Sequence, residues 1–138
     1  MAKYSYLAKE KRTAKAVHAL LMKNFTYVTD EKQYGEIEHW VMPPPSFTGH
    51  QALIGDCEDF SLAARKLLRD KNIRSRLVAC LDETGAGHLI LEVNGWIIDN
   101  RQRKLCTNRE LQRKGYIYQA ISGYNAGEPW HRLIPLVA

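Results

Sequence analysis

Cys57 stands where a thiol can be made nucleophilic. It follows Asp56, a helix-capping residue type, and opens a run of helical periodicity. It therefore falls on a first turn, where unpaired backbone N–H groups and the positive dipole end favour the thiolate. Most free cysteines are buried and inert, so position alone does not make this one a catalyst. A thiol nucleophile also needs a base to take its proton and an acid to orient that base. His88 and Asp99 flank Asn94-Gly95, the strongest short hairpin signal there is. With 94–95 as a two-residue turn, Val93 faces Trp96, Ile90 faces Asp99 and His88 faces Arg101. The two-residue period then puts His88, Ile90, Ile97 and Asp99 on one face. Leu89, Leu91, Val93, Trp96 and Ile98 share the other, which reads as the core face. His88 and Asp99 become diagonal neighbours, with backbones roughly 7–8 Å apart, a gap that a ring and a carboxylate can bridge. Taken singly, His88 reads as a strand-start histidine and Asp99 as a turn former; taken together they form a base and its orienting acid.

The elements that must position these residues are legible in outline. Residues 3–24 carry Leu7, Ala14, Val17, Leu20 and Leu21 at near-helical spacing, with Lys9, Lys11, Arg12 and Lys15 on a solvated face. Residues 25–28 read as a short extended piece, and Thr29-Asp30-Glu31 as a turn or helix start. Pro43-Pro44-Pro45 makes residues 42–54 a loop, which either frames a cleft or merely connects. The clearest helix is 56–70, with Phe60, Ala63, Ala64, Leu67 and Leu68 on one face and Asp56 and Asp59 in a capping arrangement. Strands follow at 76–81, 87–93 and 96–99, then a short helix at 108–114 and a strand at 116–121. The 138 residues, 45% hydrophobic and 25% charged, suit one globular domain spanning 1–138 and exclude a disordered or low-complexity chain. Three cysteines without a CxxC pair, Cys57, Cys80 and Cys106, argue against a disulfide framework and against zinc. Cys80 in an apolar strand and Cys106 in a polar loop read as non-catalytic. His18, His50 and His131 have no second ligand at metal spacing. Trp40 either walls the cleft, helps stabilise an oxyanion or packs in the core; the Cys57 backbone N–H is the safer oxyanion donor.

The chain order Cys, His, Asp is that of papain-like and transglutaminase-like enzymes. Gly55-Asp56-Cys57-Glu58-Asp59-Phe60, then Gly87-His88, then Ile98-Asp99-Asn100 resemble the bacterial transglutaminase-like cysteine proteinases, the LapG-type periplasmic proteases. Phe25 to Asp30, Tyr34-Gly35, His39-Trp40 and Arg109-Glu110-Leu111 leading into 116–119 are similar to that family as well, so the likeness spans about residues 16 to 122. It implies an α+β, papain-like fold with the nucleophile-bearing helix packed on an antiparallel sheet. It also implies a thiol hydrolase that cleaves a peptide bond in a protein substrate, with Cys57 as nucleophile, His88 as base and Asp99 as orienting acid. It further implies calcium, held by Asp56, Glu58 and Asp59. Carboxylates beside Cys57 should raise its pKa, and a hard cation would offset them; alternatively, these acids simply complement the helix dipole.

Alternatives on the same fold are a transglutaminase or an amidase, including one acting on cell-wall peptides. From another class comes a catalytically inactive binding module. Its basic residues Arg101, Arg103, Lys104, Arg109, Arg113 and Lys114 lack the aromatic interleaving of a nucleic-acid face, so no nucleic-acid partner is expected despite the net charge of +5. No apolar run suits a signal peptide or a membrane span, so the expectation is a cytoplasmic protein without membrane contact, in keeping with a phage or prophage product. The family's members act in the periplasm on surface adhesins, and for a short chain without a signal that role is not the expectation.

Overall fold

The computed structural model describes residues 2–28 and 43–133; Trp40, Tyr34-Gly35, His39 and the 29–31 turn lie outside them. Helix α1 (Ala2–Asn24) forms where predicted. Ala14, Val17 and Leu21 are at most 4% exposed on its inner stripe, and Lys11, Arg12 and Lys15 point outward. It runs directly into β1 (Phe25–Tyr27), which pairs in parallel with β2 (Leu53–Gly55) in the register Phe25 to Leu53 and Tyr27 to Gly55. The expected loop thus ends in a strand. The proline segment before it is tied down, because Lys66 Nζ donates to the carbonyls of Pro45 at 2.9 Å and Phe47 at 2.6 Å, and Phe47 is buried.

Helix α2 (Cys57–Arg69) begins with a reciprocal cap. Asp56 Oδ1 accepts from the N–H groups of Glu58 at 3.0 Å and Asp59 at 3.4 Å, while Asp59 Oδ2 accepts from Asp56 N–H at 3.0 Å. Gly55 is required beside this cap, since a Cβ there would lie 2.2 Å from Asp59 Oδ2. The apolar face of α2, Phe60, Ala63, Ala64, Leu67 and Leu68, is buried against the sheet and α1. Burial of a side chain such as Phe60 contributes about 1.5–3 kcal/mol. Ser61 Oγ donates to Leu89 C=O at 3.2 Å and fixes α2 against the strand that carries His88.

The sheet comprises β3 (Arg76–Leu81), β4 (Gly87–Val93), β5 (Trp96–Ile98), β6 (Cys106–Thr107), β7 (Ile117–Ile121) and β8 (His131–Arg132), with α3 (Asn108–Arg113) between β6 and β7. It is antiparallel, in the order β6-β5-β4-β3-β7-β8. Asn94 and Gly95 both adopt positive φ, 50° and 87°, as a two-residue hairpin demands. The register is the predicted one, Leu91 to Ile98 and Val93 to Trp96. One face of this hairpin reads as core in the sequence, and in the structure both faces are buried. Leu89, Leu91, Val93 and Ile98 pack against α1 and α2, but Ile90 and Ile97 on the opposite side are equally buried, in a second cluster with Val78, Cys80, Cys106, Leu111 and Tyr116. Leu111 of α3 and Tyr116, which follows it, fold back over that face, so His88 and Asp99 sit at the margin of a second core. Among the described residues no helix is long and apolar enough to cross a membrane.

Candidate active site

Asp99 directly follows β5 and is 1% exposed, which demands partners for its carboxylate. Oδ1 accepts from His88 Nε2 at 2.7 Å and from Arg101 N–H at 2.9 Å, and Oδ2 accepts from the Tyr116 hydroxyl at 2.7 Å. The hairpin register that makes residues 88 and 99 diagonal neighbours is what lets the imidazole reach the carboxylate. With Nε2–H committed to Asp99, Nδ1 is the nitrogen left to exchange a proton with another group.

The Asp99 main-chain carbonyl is held as well, accepting from Nε2 of His18 at 3.0 Å. His18 is 1% exposed and packs edge-on against Phe60 at 6.2 Å. In the sequence it stands among basic residues with no second ligand at metal spacing; the buried stripe of α1 turns it toward the site. Tyr116 reads in the sequence only as a strand start, and in the structure it precedes β7. Its hydroxyl also accepts from Arg101 Nη1 at 3.2 Å and Gln102 Nε2 at 3.1 Å, and its ring meets His88 edge-on at 6.1 Å. Burial and the Asp99 charge push the Tyr116 phenol up, so it stays a donor. Arg101, grouped by sequence with the basic residues of a possible nucleic-acid face, is engaged by Glu83 at 2.5 Å and Asp82 at 3.3 Å. Nothing in the sequence signalled these contacts, because each joins segments that only the finished sheet brings together.

Cys57 is the first residue of α2, and with His88 it lines a cleft of about 450 Å³, together with Tyr27, Asp82, Asn100 and Arg101. All three predicted catalytic residues therefore converge: thiol and imidazole share the cleft, and the carboxylate lies behind the imidazole. The Cys57 thiol donates to Glu58 Oε2 at 3.6 Å. Its pKa is raised, first by burial, then by the Glu58 and Asp56 charges, against a lowering contact with the Leu89 backbone. The helix dipole does not prevail at this turn, because burial of the thiol, and then the two carboxylates beside it, act against the thiolate. Asp56, Cys57 and Glu58 offer ligand atoms within 4.8 Å of one another. Asp59, the third predicted metal residue, turns Oδ2 to the Asp56 amide. The carboxylates of Asp56 and Glu58 are hard oxygen donors whose charge is unfavourable to a neighbouring thiolate, so the pair fits a hard divalent cation such as calcium. Cys80 and Cys106 are buried and line no part of this cleft, although Cys80 stands opposite His88 in the β3–β4 pairing; burial, and then the Asp99 and Asp82 charges, push the Cys80 thiol up to about 12.

Residues 2–135 match the family described as bacterial transglutaminase-like cysteine proteinase. Three solved structures of Legionella pneumophila LapG share the fold. The EGTA-treated form aligns with a TM-score of 0.70 at 18% identity over 93% of this chain and 69% of that one. The calcium-bound form aligns with a TM-score of 0.68 at 20% identity over 89% and 68%, and a further LapG structure gives 0.68 at 19% identity over 90% and 69%. No curated protein sequence matches significantly.

Proposed function

The chain belongs to the bacterial transglutaminase-like cysteine proteinase family, as a cysteine protease of transglutaminase-like fold, and on that premise we propose that Cys57, His88 and Asp99 hydrolyse a peptide bond in a protein substrate through a thioester intermediate. The observation that carries this reading is the 2.7 Å contact of His88 Nε2 with buried Asp99, on an imidazole that shares its cleft with the Cys57 thiol.

In this mechanism His88 Nδ1 takes the proton from Cys57 Sγ, and the thiolate attacks the carbonyl carbon of the scissile amide. The tetrahedral oxyanion is met by the Cys57 backbone N–H, which points out of the first turn of α2 without an intrahelical acceptor. The imidazolium, steadied by Asp99, returns its proton to the departing amine as the C–N bond breaks, leaving a thioester on Cys57. Water, deprotonated by the same Nδ1, attacks the thioester; the C–S bond breaks and the acid product leaves. Asp99 orients and does not itself exchange the proton.

Asp56 and Glu58 would hold calcium, with Asp59 securing Asp56 through its backbone amide. The bound ion would supply positive charge beside the thiol, lowering its pKa toward the neutral range. What supports this is the raised Cys57 pKa with both carboxylates among its causes and the existence of a calcium-bound LapG structure.

The test is digestion of a denatured protein mixture, with calcium or with chelator, and product mapping by mass spectrometry. Wild type should generate new termini with calcium, while Cys57→Ala and His88→Ala should generate none and Asp99→Asn should retain part of the activity. Unchanged cleavage by Cys57→Ala would overturn the mechanism. With a primary amine added, amide adducts in place of free acids would identify transamidation instead.

A further inference from the structure

Away from the catalytic cleft, α1 and the β5–β6 loop enclose a second cleft of about 370 Å³ lined by Lys11, Lys15, His18, Trp96, Arg103 and Lys104. Lys11 and Lys15 lie one helical turn apart on α1, and Arg103 and Lys104 face them from the loop. Four cations thus converge from two sides, with no carboxylate among the described lining residues and no ion pair among those described for any of the four. Lys11 Nζ sits 4.3 Å over the Trp96 ring, so its charge is held at the mouth of the cleft by the indole. Buried His18, whose Nε2–H donates to the Asp99 carbonyl, forms part of the wall. Like charges gathered around a concavity repel one another unless an anion joins them.

We propose that this cleft binds a compact polyphosphate chain, either free or as part of a nucleoside triphosphate. Lysine and arginine are the side chains that hold phosphate, lysine as a mobile point charge and arginine as a bidentate fork. A cleft of this volume is at the lower end of small-ligand sites. It suits a short chain of several negative charges better than an extended polymer, which would need a continuous face. A base could stack on the Trp96 indole only by displacing the Lys11 ammonium from over the ring, which phosphate binding by Lys11 would favour. The proposal does not depend on the protease reading, since binding is measured with no turnover.

The test is titration calorimetry of the full chain with inorganic tripolyphosphate and, separately, with a nucleoside triphosphate, in metal-free buffer at about 50 and 200 mM salt. The expected result is one saturable site that weakens with salt and is lost about tenfold or more in Lys15→Gln/Arg103→Gln. These side chains are exposed, so the pair should fold normally. Arg109→Gln/Arg113→Gln, on α3, should bind like wild type. Tighter binding of the nucleotide, with the advantage removed by Trp96→Ala, identifies a nucleotide site; equal binding identifies the phosphate chain alone. Absence of saturable binding at low salt, equal loss in the α3 pair, or a hexaglutamate peptide binding as tightly as tripolyphosphate would overturn the proposal.

Discussion

Tyr116→Phe removes a single oxygen from the support of Asp99. In wild type that hydroxyl donates to Oδ2 at 2.7 Å, and Asp99 is 1% exposed, so water cannot replace the lost donor. Two further donors, Arg101 Nη1 and Gln102 Nε2, lose their acceptor. A hydrogen bond to a charged group contributes about 1.5–3 kcal/mol. For a chain of this size each kcal/mol shifts the melting midpoint by about 3–5 °C, so the variant should melt about 5–15 °C lower. The chemistry should suffer too, since a carboxylate freed at Oδ2 can rotate and holds the His88 imidazole in place less firmly. If about 1 kcal/mol of that loss is felt at His88, alkylation of Cys57 near neutral pH slows about fivefold. Thermal unfolding and iodoacetamide rates on wild type and variant, below the variant's transition, separate the two effects. A variant that melts with wild type and labels at the wild-type rate would refute the view that Asp99 is held by Tyr116.

Glu58→Gln should act in the opposite direction on the thiol. The Glu58 carboxylate, 3.6 Å from Sγ, helps raise the Cys57 pKa, so its removal lowers that pKa. Screened at this partly exposed turn, its charge is worth about 1–2 kcal/mol, or about five- to thirtyfold more thiolate at a fixed pH below the pKa. Alkylation in chelator should therefore accelerate while the response to added calcium disappears, and an unaltered pH–rate profile would contradict the assignment. Gly55→Ala should cost about 1–2 kcal/mol by forcing Asp59 off the Asp56 amide, which urea unfolding followed by helical circular dichroism would register.

The parts of this molecule legible in its sequence are those set by local rules. Asn94-Gly95 dictates the turn, the turn dictates the register, and the register places His88 and Asp99 within reach of each other. Asp56 and Asp59 announce the start of α2, and with it the position of Cys57. What was not legible depends on packing across long separations. Ile90 and Ile97 alternate with the core residues as a solvated face would, yet Leu111 and Tyr116 cover them, and six-residue α3 is too short to reveal which face it will choose. His18 carries no mark distinguishing it from the basic residues around it until α1 is docked. Strands β2, β6 and β8 span two or three residues each and owe their existence to their partners.

In the proposed site Cys57 is a nucleophile whose proton His88 accepts, held in check by burial and by the two carboxylates beside it. The most direct test of this assignment is the iodoacetamide rate at each cysteine, mapped by peptide mass spectrometry across pH, with calcium and with chelator, in wild type and His88→Ala. Cys57 should label slowly in chelator, in keeping with its raised pKa. With calcium, Cys57 should label much faster than Cys80 and Cys106 below pH about 7, and that advantage should vanish in His88→Ala. Cys57 labelling no faster than the other two cysteines under any condition, or equally fast without His88, would contradict it.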